Sequence, residues 1–169
     1  MSEDILKEFK EQIVYRLDES TRMISISFDK LSEEDIWKRI NDSSNSIGNL
    51  IIHLCGNMTQ YVIASLGNKD DNRDRDEEFA MQSGFNKKQL LEKLQITVKE
   101  VKTIILNLSE IEYLKQRDVQ GFNFSGIGIA IHITEHYSYH TGQIAFWTKQ
   151  INNKDLGFYD GMDLNIKNK

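Results

Sequence analysis

The sequence predicts an all-α protein, a four-helix bundle, from three observations. Proline is wholly absent from its 169 residues, four long segments carry apolar side chains at helical spacing, and no segment has a convincing strand pattern. Without proline the strongest helix breaker is missing, so the turns fall to Gly, Asn and Asp. A chain of this length has residues enough for one well-developed core, of the kind that buries about two thirds of the unfolded surface. Residues 1–169 are therefore read as one domain.

Leu6, Phe9, Ile13, Leu17, Ile24, Phe28 and Leu31 recur at steps of three, four and seven and lie on one stripe of a first helix. Ser32, followed by Glu33, Glu34 and Asp35, has the form of an N-cap with an acidic first turn, and a short element runs on toward Ile40. The second main helix spans Ile47 to Leu66, with Leu50, Ile51, Leu54, Met58, Tyr61 and Val62 on its apolar face and Gly67-Asn68 as its stop. Leu90, Leu91, Leu94, Val98, Val101, Ile105 and Leu108 make the stripe of a third helix, from about Asn86 to Leu108, whose other face is Lys and Glu.

The fourth segment, Ser125 to Ile151, has an ambiguous period, because Ile127, Ile129, Ile131 and Ile133 alternate as in a strand. Length decides for a helix: no turn signal occurs before Asn152-Asn153, whereas strands usually end within about ten residues. Between the second and third helices, the run from Lys69 to Glu78 superficially offers the alternating Asp/Asn of a calcium loop. Counted from Asp70, however, the sixth position is Arg75 where Gly is needed and the twelfth is Met81 where Glu is needed. The run is read as a solvated crossover.

The formal charge of −5 and the pI near 5.4 leave no basic field for a phosphate backbone, which excludes nucleic acid as a partner. Ser2-Glu3-Asp4 lacks the basic and apolar regions of a signal peptide, and no apolar run approaches the roughly 18 residues of a membrane span; a cytoplasmic protein is expected. Cys55 is the only cysteine, so any metal site must be built from His and carboxylates. Cys55 lies about 200° around the helix from His53 and is read as a small buried hydrophobe.

Three of the four histidines, His132, His136 and His140, fall at i, i+4 and i+8 of the fourth helix. Two imidazoles four residues apart, with Cβ atoms about 6 Å from one another, can converge on one ion at metal–nitrogen distances of about 2.0–2.1 Å. The outer pair is about 12 Å apart along the axis, so one of the outer two is not a ligand. His53, in the second helix, is flanked at helical spacing by Asn49, Asn57 and Gln60, a polar stripe in an apolar helix. Buried amides and imidazoles need partners, and an ion with a hydrogen-bonded surround supplies them.

The stretch His132-Ile-Thr-Glu-His136-Tyr-Ser-Tyr-His140-Thr-Gly142-Gln143 resembles the fourth-helix signature of the DinB/YfiT-like superfamily, His-x-x-x-His followed by Gly-Gln. The superfamily's third ligand, a His in helix two, matches His53. The resemblance covers nearly the whole chain. It implies a bundle with an up-up-down-down course, a nickel or zinc ion on His53, His136 and His140, and a homodimer. It leaves His132 outside the triad, as a core residue or a neighbour of the ligands. Relatives that act on thiols imply a metal-dependent S-transferase using bacillithiol, glutathione or a similar thiol and an electrophilic substrate.

The same site can also serve a hydrolase, with Glu135 as the proton acceptor, or a non-catalytic bundle with a closed metal shell. Glu135 sits about 100° around the helix from His136, which turns it away from the ion. Trp147, Tyr139 and Phe146 are read as core or dimer interface, and no catalytic residue is assigned. The tail around Leu156-Gly157-Phe158-Tyr159-Asp160 is expected to pack over the end of the bundle.

Overall fold

The computed structural model describes residues 3–168. Helix α1 spans Glu3–Asp29, and a short 3₁₀ turn at Glu34–Trp37 precedes α2, Ile47–Met58. Helix α2 continues as a π-helical turn, Thr59–Ala64. A short α3, Arg75–Ala80, lies in the crossover, followed by α4, Lys87–Asn107, and α5, Glu110–Leu114. A hairpin of β1, Gln116–Val119, and β2, Phe122–Ser125, leads into α6, Gly126–Asn152.

The ends of the helices are written in local chemistry. Ser46 and Asn49 form a capping box at α2, Asn86 and Gln89 form another at α4, and the Ser125 hydroxyl accepts from the Gly128 N–H at α6. Helix α6 stops at Asn153 and the π turn at Asn68, both with positive φ (51° and 53°). Within α6, Ile129 and Ile133 are fully buried while Ile131 is 51 % exposed, so the alternation in the sequence is a one-sided helical stripe.

The four long helices form the expected bundle around a core that includes Leu17, Ile24, Phe28, Leu54, Val101, Ile105 and Tyr137. Helices α1 and α6 run parallel: Phe9 packs edge-on to Tyr113 beside the start of α6, Thr21 bonds the Tyr137 hydroxyl at 2.9 Å, and Asn152 donates to the Lys30 carbonyl at 2.8 Å. Helix α4 runs against α1, since Lys10 reaches the Leu106 and Leu108 carbonyls while Lys87 reaches that of Leu31. Helix α2 runs against α6, with His53 beside His140 and Asn57 beside His132.

The course is therefore up-down-down-up, in place of the up-up-down-down order that the resemblance implied. That order needs two connections running the length of the bundle, and this chain has one. Residues 30–46 stay at one end because Trp37 packs over Gly48 and donates its indole N–H to the Phe85 carbonyl at 3.0 Å. Only the segment between Ala64 and Lys87 travels back along the bundle.

The sequence analysis found no strand, and the hairpin adds one short pair. Its strands are only four residues long: β1, Gln-Arg-Asp-Val, has no apolar alternation, and the alternation of β2, Phe-Asn-Phe-Ser, is too brief to distinguish from a loop. The turn is built by Gln120 and Gly121, with φ of 53° and 80°, the backbone of a tight two-residue hairpin. Beyond α6, Leu156 is buried and Arg22 donates to the Phe158 carbonyl at 3.0 Å, which lays the tail against α1. Among the described residues no helix is long and apolar enough to cross a membrane.

Candidate metal centre

The antiparallel packing of α2 on α6 brings His53 opposite the His136–His140 pair. His136 Nε2 lies 3.2 Å from His53 Nε2 and 3.2 Å from His140 Nε2, and the ligand atoms of the three all fall within 4.8 Å of one another. An ion holding nitrogens at about 2.0–2.1 Å in tetrahedral geometry separates them by about 3.3–3.4 Å. The spacing of the imidazoles thus fits a divalent ion, and the group can hold one.

Hydrogen bonds on the far side of the rings aim the nitrogens inward. Glu78 Oε2 lies 2.9 Å from His53 Nδ1, and Gln143 Oε1 lies 2.7 Å from His140 Nδ1. A carboxylate and an amide oxygen can only accept, so both Nδ1 atoms carry the proton and both Nε2 lone pairs face the common point. Two lone pairs converging on the His136 Nε2 call for a cation or a proton between them.

Glu78 is itself clamped. Arg73 Nε donates to Oε1 at 2.7 Å and Nη2 to Oε2 at 2.9 Å, with the side chains 3 % and 7 % exposed. Arg73 Nη2 also lies 3.1 Å from His53 Nδ1, a contact between two donors and so not a bond. Gln60 Oε1 accepts from Arg73 Nη1 at 3.0 Å. Gly56 makes room for the clamp: a Cβ there would come within 1.8 Å of Glu78 Oε1.

The crossover, read from sequence as solvated, therefore drives two of its charges into the bundle, where they neutralise each other. The polar stripe of α2 explains why it docks. Asn49 Nδ2 donates to the Glu78 and Met81 carbonyls at 2.9 and 2.8 Å, and Gln60 holds both Arg73 and Asp71.

Electrostatics agree with a site of neutral imidazoles. Burial, followed by the neighbouring His140 and His53 rings, pushes His136 down to about 3. Burial also brings His140 down to about 4, against the Gln143 bond that works the other way. Burial raises the Glu78 carboxyl, yet the bonds from Arg73 and His53 outweigh it and hold the group below its usual range.

The unfolded imidazoles take up protons near 6.5 while these two resist, so the metal-free fold keeps their contribution above about pH 6.5 and loses it as pH falls toward 4 and 3. Melting temperatures of metal-free protein are expected to be level from pH 8 to 6.5 and to drop below it, less steeply in His136→Asn. An equally steep drop in that variant would contradict the assignment.

His132 lies outside the group formed by His53, His136 and His140. It stacks on Tyr61 (ring centroids 4.2 Å apart), with Asn57 Nδ2 3.4 Å from its Nε2. With His53 and His136 these residues wall a cleft of about 410 Å³ between α2, the crossover and the hairpin. Cys55 is 2 % exposed, and burial pushes its thiol up to about 11. Glu135 is exposed, beside a shallow depression that it shares with His132, His136 and Tyr139. Trp147 packs against the core, but Tyr139 and Phe146 are each 62 % exposed.

The family described as "Protein of unknown function (DUF1572)" matches residues 4–159. The chain belongs to this family. Among curated proteins none matches it. A solved structure of a DinB-like protein from Bacillus subtilis, YjoA, is similar to the DUF1572 chain with a TM-score of 0.67 at 16 % identity. The match covers 88 % of this chain and 96 % of that one. The fold expected from the resemblance at His53, His136, His140, Gly142 and Gln143 is thus shared with a DinB-like structure over nearly the full length.

Sequence reasoning missed Glu78 and Arg73 and gave Gln143 no role. A ligating His commonly hands its second N–H to a carboxylate, which signals that a partner exists. Nothing in the spacing of 26 acidic residues says which one it is, because the DUF1572 crossover reaches His53 from 25 positions away.

Proposed function

We propose that His53, His136 and His140 hold one divalent ion, nickel or zinc, and that the site transfers a low-molecular-weight thiol to an electrophilic substrate. The convergence of three Nε2 atoms beside an open cleft carries this reading. Such an ion, when bound, supplies a Lewis acid at which a thiol loses its proton near neutral pH.

The chain's own residues do the rest. Glu78 and Gln143 fix the tautomers of His53 and His140, and three neutral ligands leave the positive charge uncompensated, which favours an anionic sulfur. A hydrolase needs a base aimed into the cleft. Glu78 is engaged by Arg73 and His53, and Glu135 does not line the cleft, so neither is placed for that work. A purely structural ion is disfavoured by the cleft itself, since structural sites are closed by four protein ligands. Ile131, Tyr139 and Phe146 form an exposed apolar stripe on α6 that supports a homodimer.

The test is conjugation. Untagged protein loaded with zinc or nickel is incubated with bacillithiol or glutathione and a chlorinated aromatic acceptor. The sulfur forms a bond to the ring carbon, the carbon–chlorine bond breaks with chloride taking the electron pair, and the thiol proton goes to solvent. Conjugate that disappears on chelation and returns with the ion is expected. Turnover of esters or amides alone would move the assignment to a hydrolase.

A further inference from the structure

The cleft beside the three histidines differs in charge from the rest of the molecule. The chain carries a net −5, yet the residues lining this cleft include two arginines and no carboxylate. Arg73 is neutralised by Glu78 beneath the floor. Arg75 is exposed, and its guanidinium rests 4.9 Å from the centre of the Phe79 ring, which in turn tilts against His53. Stacking on an aromatic face orients a guanidinium fork while leaving its N–H edge open.

A second observation points to a ligand in the same place. Asn57 is 3 % exposed and lines the cleft, and its side-chain oxygen has no hydrogen-bond partner among the described residues. A buried amide oxygen left this way costs about 1–3 kcal/mol, which a hydroxyl or N–H elsewhere on the entering molecule would recover. Opposite, Phe122 on the hairpin is 57 % exposed, an apolar wall for the body of a small molecule.

Resting on the metal reading above, we propose that the molecule entering this cleft bears a carboxylate, which Arg75 binds while the molecule's other end faces the three histidines. One available guanidinium offers the two parallel donors that a carboxylate fills. A phosphate dianion would call for further cationic or main-chain donors, and the second arginine is already paired. Arg75 is thus a specificity residue: it selects among thiols by charge, without touching the reacting atoms.

The experiment compares two thiols on cobalt-loaded protein, mercaptosuccinate with carboxylates and thioglycerol without, by titrating the sulfur-to-cobalt absorption. Wild type is expected to bind mercaptosuccinate about tenfold tighter than thioglycerol, the size of one charge-assisted pair. Arg75→Gln is expected to remove that preference and leave thioglycerol binding unchanged, with cobalt content at wild-type level. Equal affinities in the wild type, or a preference that survives Arg75→Gln, would overturn the proposal while leaving the metal site standing. Failure of cobalt to bind at all would overturn the metal reading and this proposal together.

Discussion

Replacing His136 with alanine is expected to take the metal content from about one ion per chain to under about a tenth. His136 is the middle of the three histidines, its Nε2 3.2 Å from both of the others, so its loss leaves two imidazoles on different helices with no bridge between them. The same variant separates metal binding from folding. Wild-type protein at an ion concentration a hundred times its Kd gains about 2.7 kcal/mol, or about 5–10 °C in melting temperature for a chain of this size. His136→Ala gains nothing on adding metal and melts close to the metal-free wild type, since His136 is only partly buried and lies outside the apolar core. Full metal retention in this variant would remove His136 from the site.

Glu78→Ala is expected to cost both stability and affinity, for separable reasons. The carboxylate takes two bonds from Arg73 and one from His53 in a spot where both charged side chains are nearly inaccessible. Without it the guanidinium keeps only the Gln60 bond among the described residues, and an uncompensated buried charge of this kind costs about 3–5 kcal/mol. His53 loses the acceptor that fixes its tautomer, and losing such a partner typically lowers metal affinity about 10–100-fold. Combining Arg73→Met with Glu78→Leu removes both charges, so most of the stability is expected to return while the affinity stays low. Thermal melts and competitive metal titrations on the single and double variants read the two effects apart. Wild-type affinity in Glu78→Ala would show that the carboxylate does not hold His53 in place.

The parts of this structure that the sequence announced are those whose signals are local. Helices α1, α2, α4 and α6 were legible because apolar residues three and four apart must share a face, while the caps at Ser46, Asn86 and Ser125 emerged only in the structure. Spacing alone offered a histidine pair four residues apart on α6 and left open whether His132 or His140 joins His136; the resemblance selected His140, and His53 stood out by the amides beside it. Helices α3 and α5, of six and five residues, are too short to show a period, and the four-residue strands of the hairpin are too short for alternation to stand out.

The order of helix directions was not legible in the same way. It depends on Trp37 holding the first connection at one end of the bundle, a contact with Gly48 and Phe85 across the fold. The burial of Arg73 and Glu78 was hidden for a related reason. In sequence they are two members of a charged run, and only their meeting beneath His53 makes their burial affordable.

X-ray absorption at the edge of the bound metal tests the central claim most directly. For wild-type protein loaded with zinc or nickel, the account predicts three histidine nitrogens at about 2.0–2.1 Å plus at least one exchangeable light-atom ligand, with a sulfur shell at about 2.3 Å appearing when a thiol is added. A full shell of protein donors that admits no sulfur, or an ion bound by carboxylate oxygens without imidazole, would contradict it.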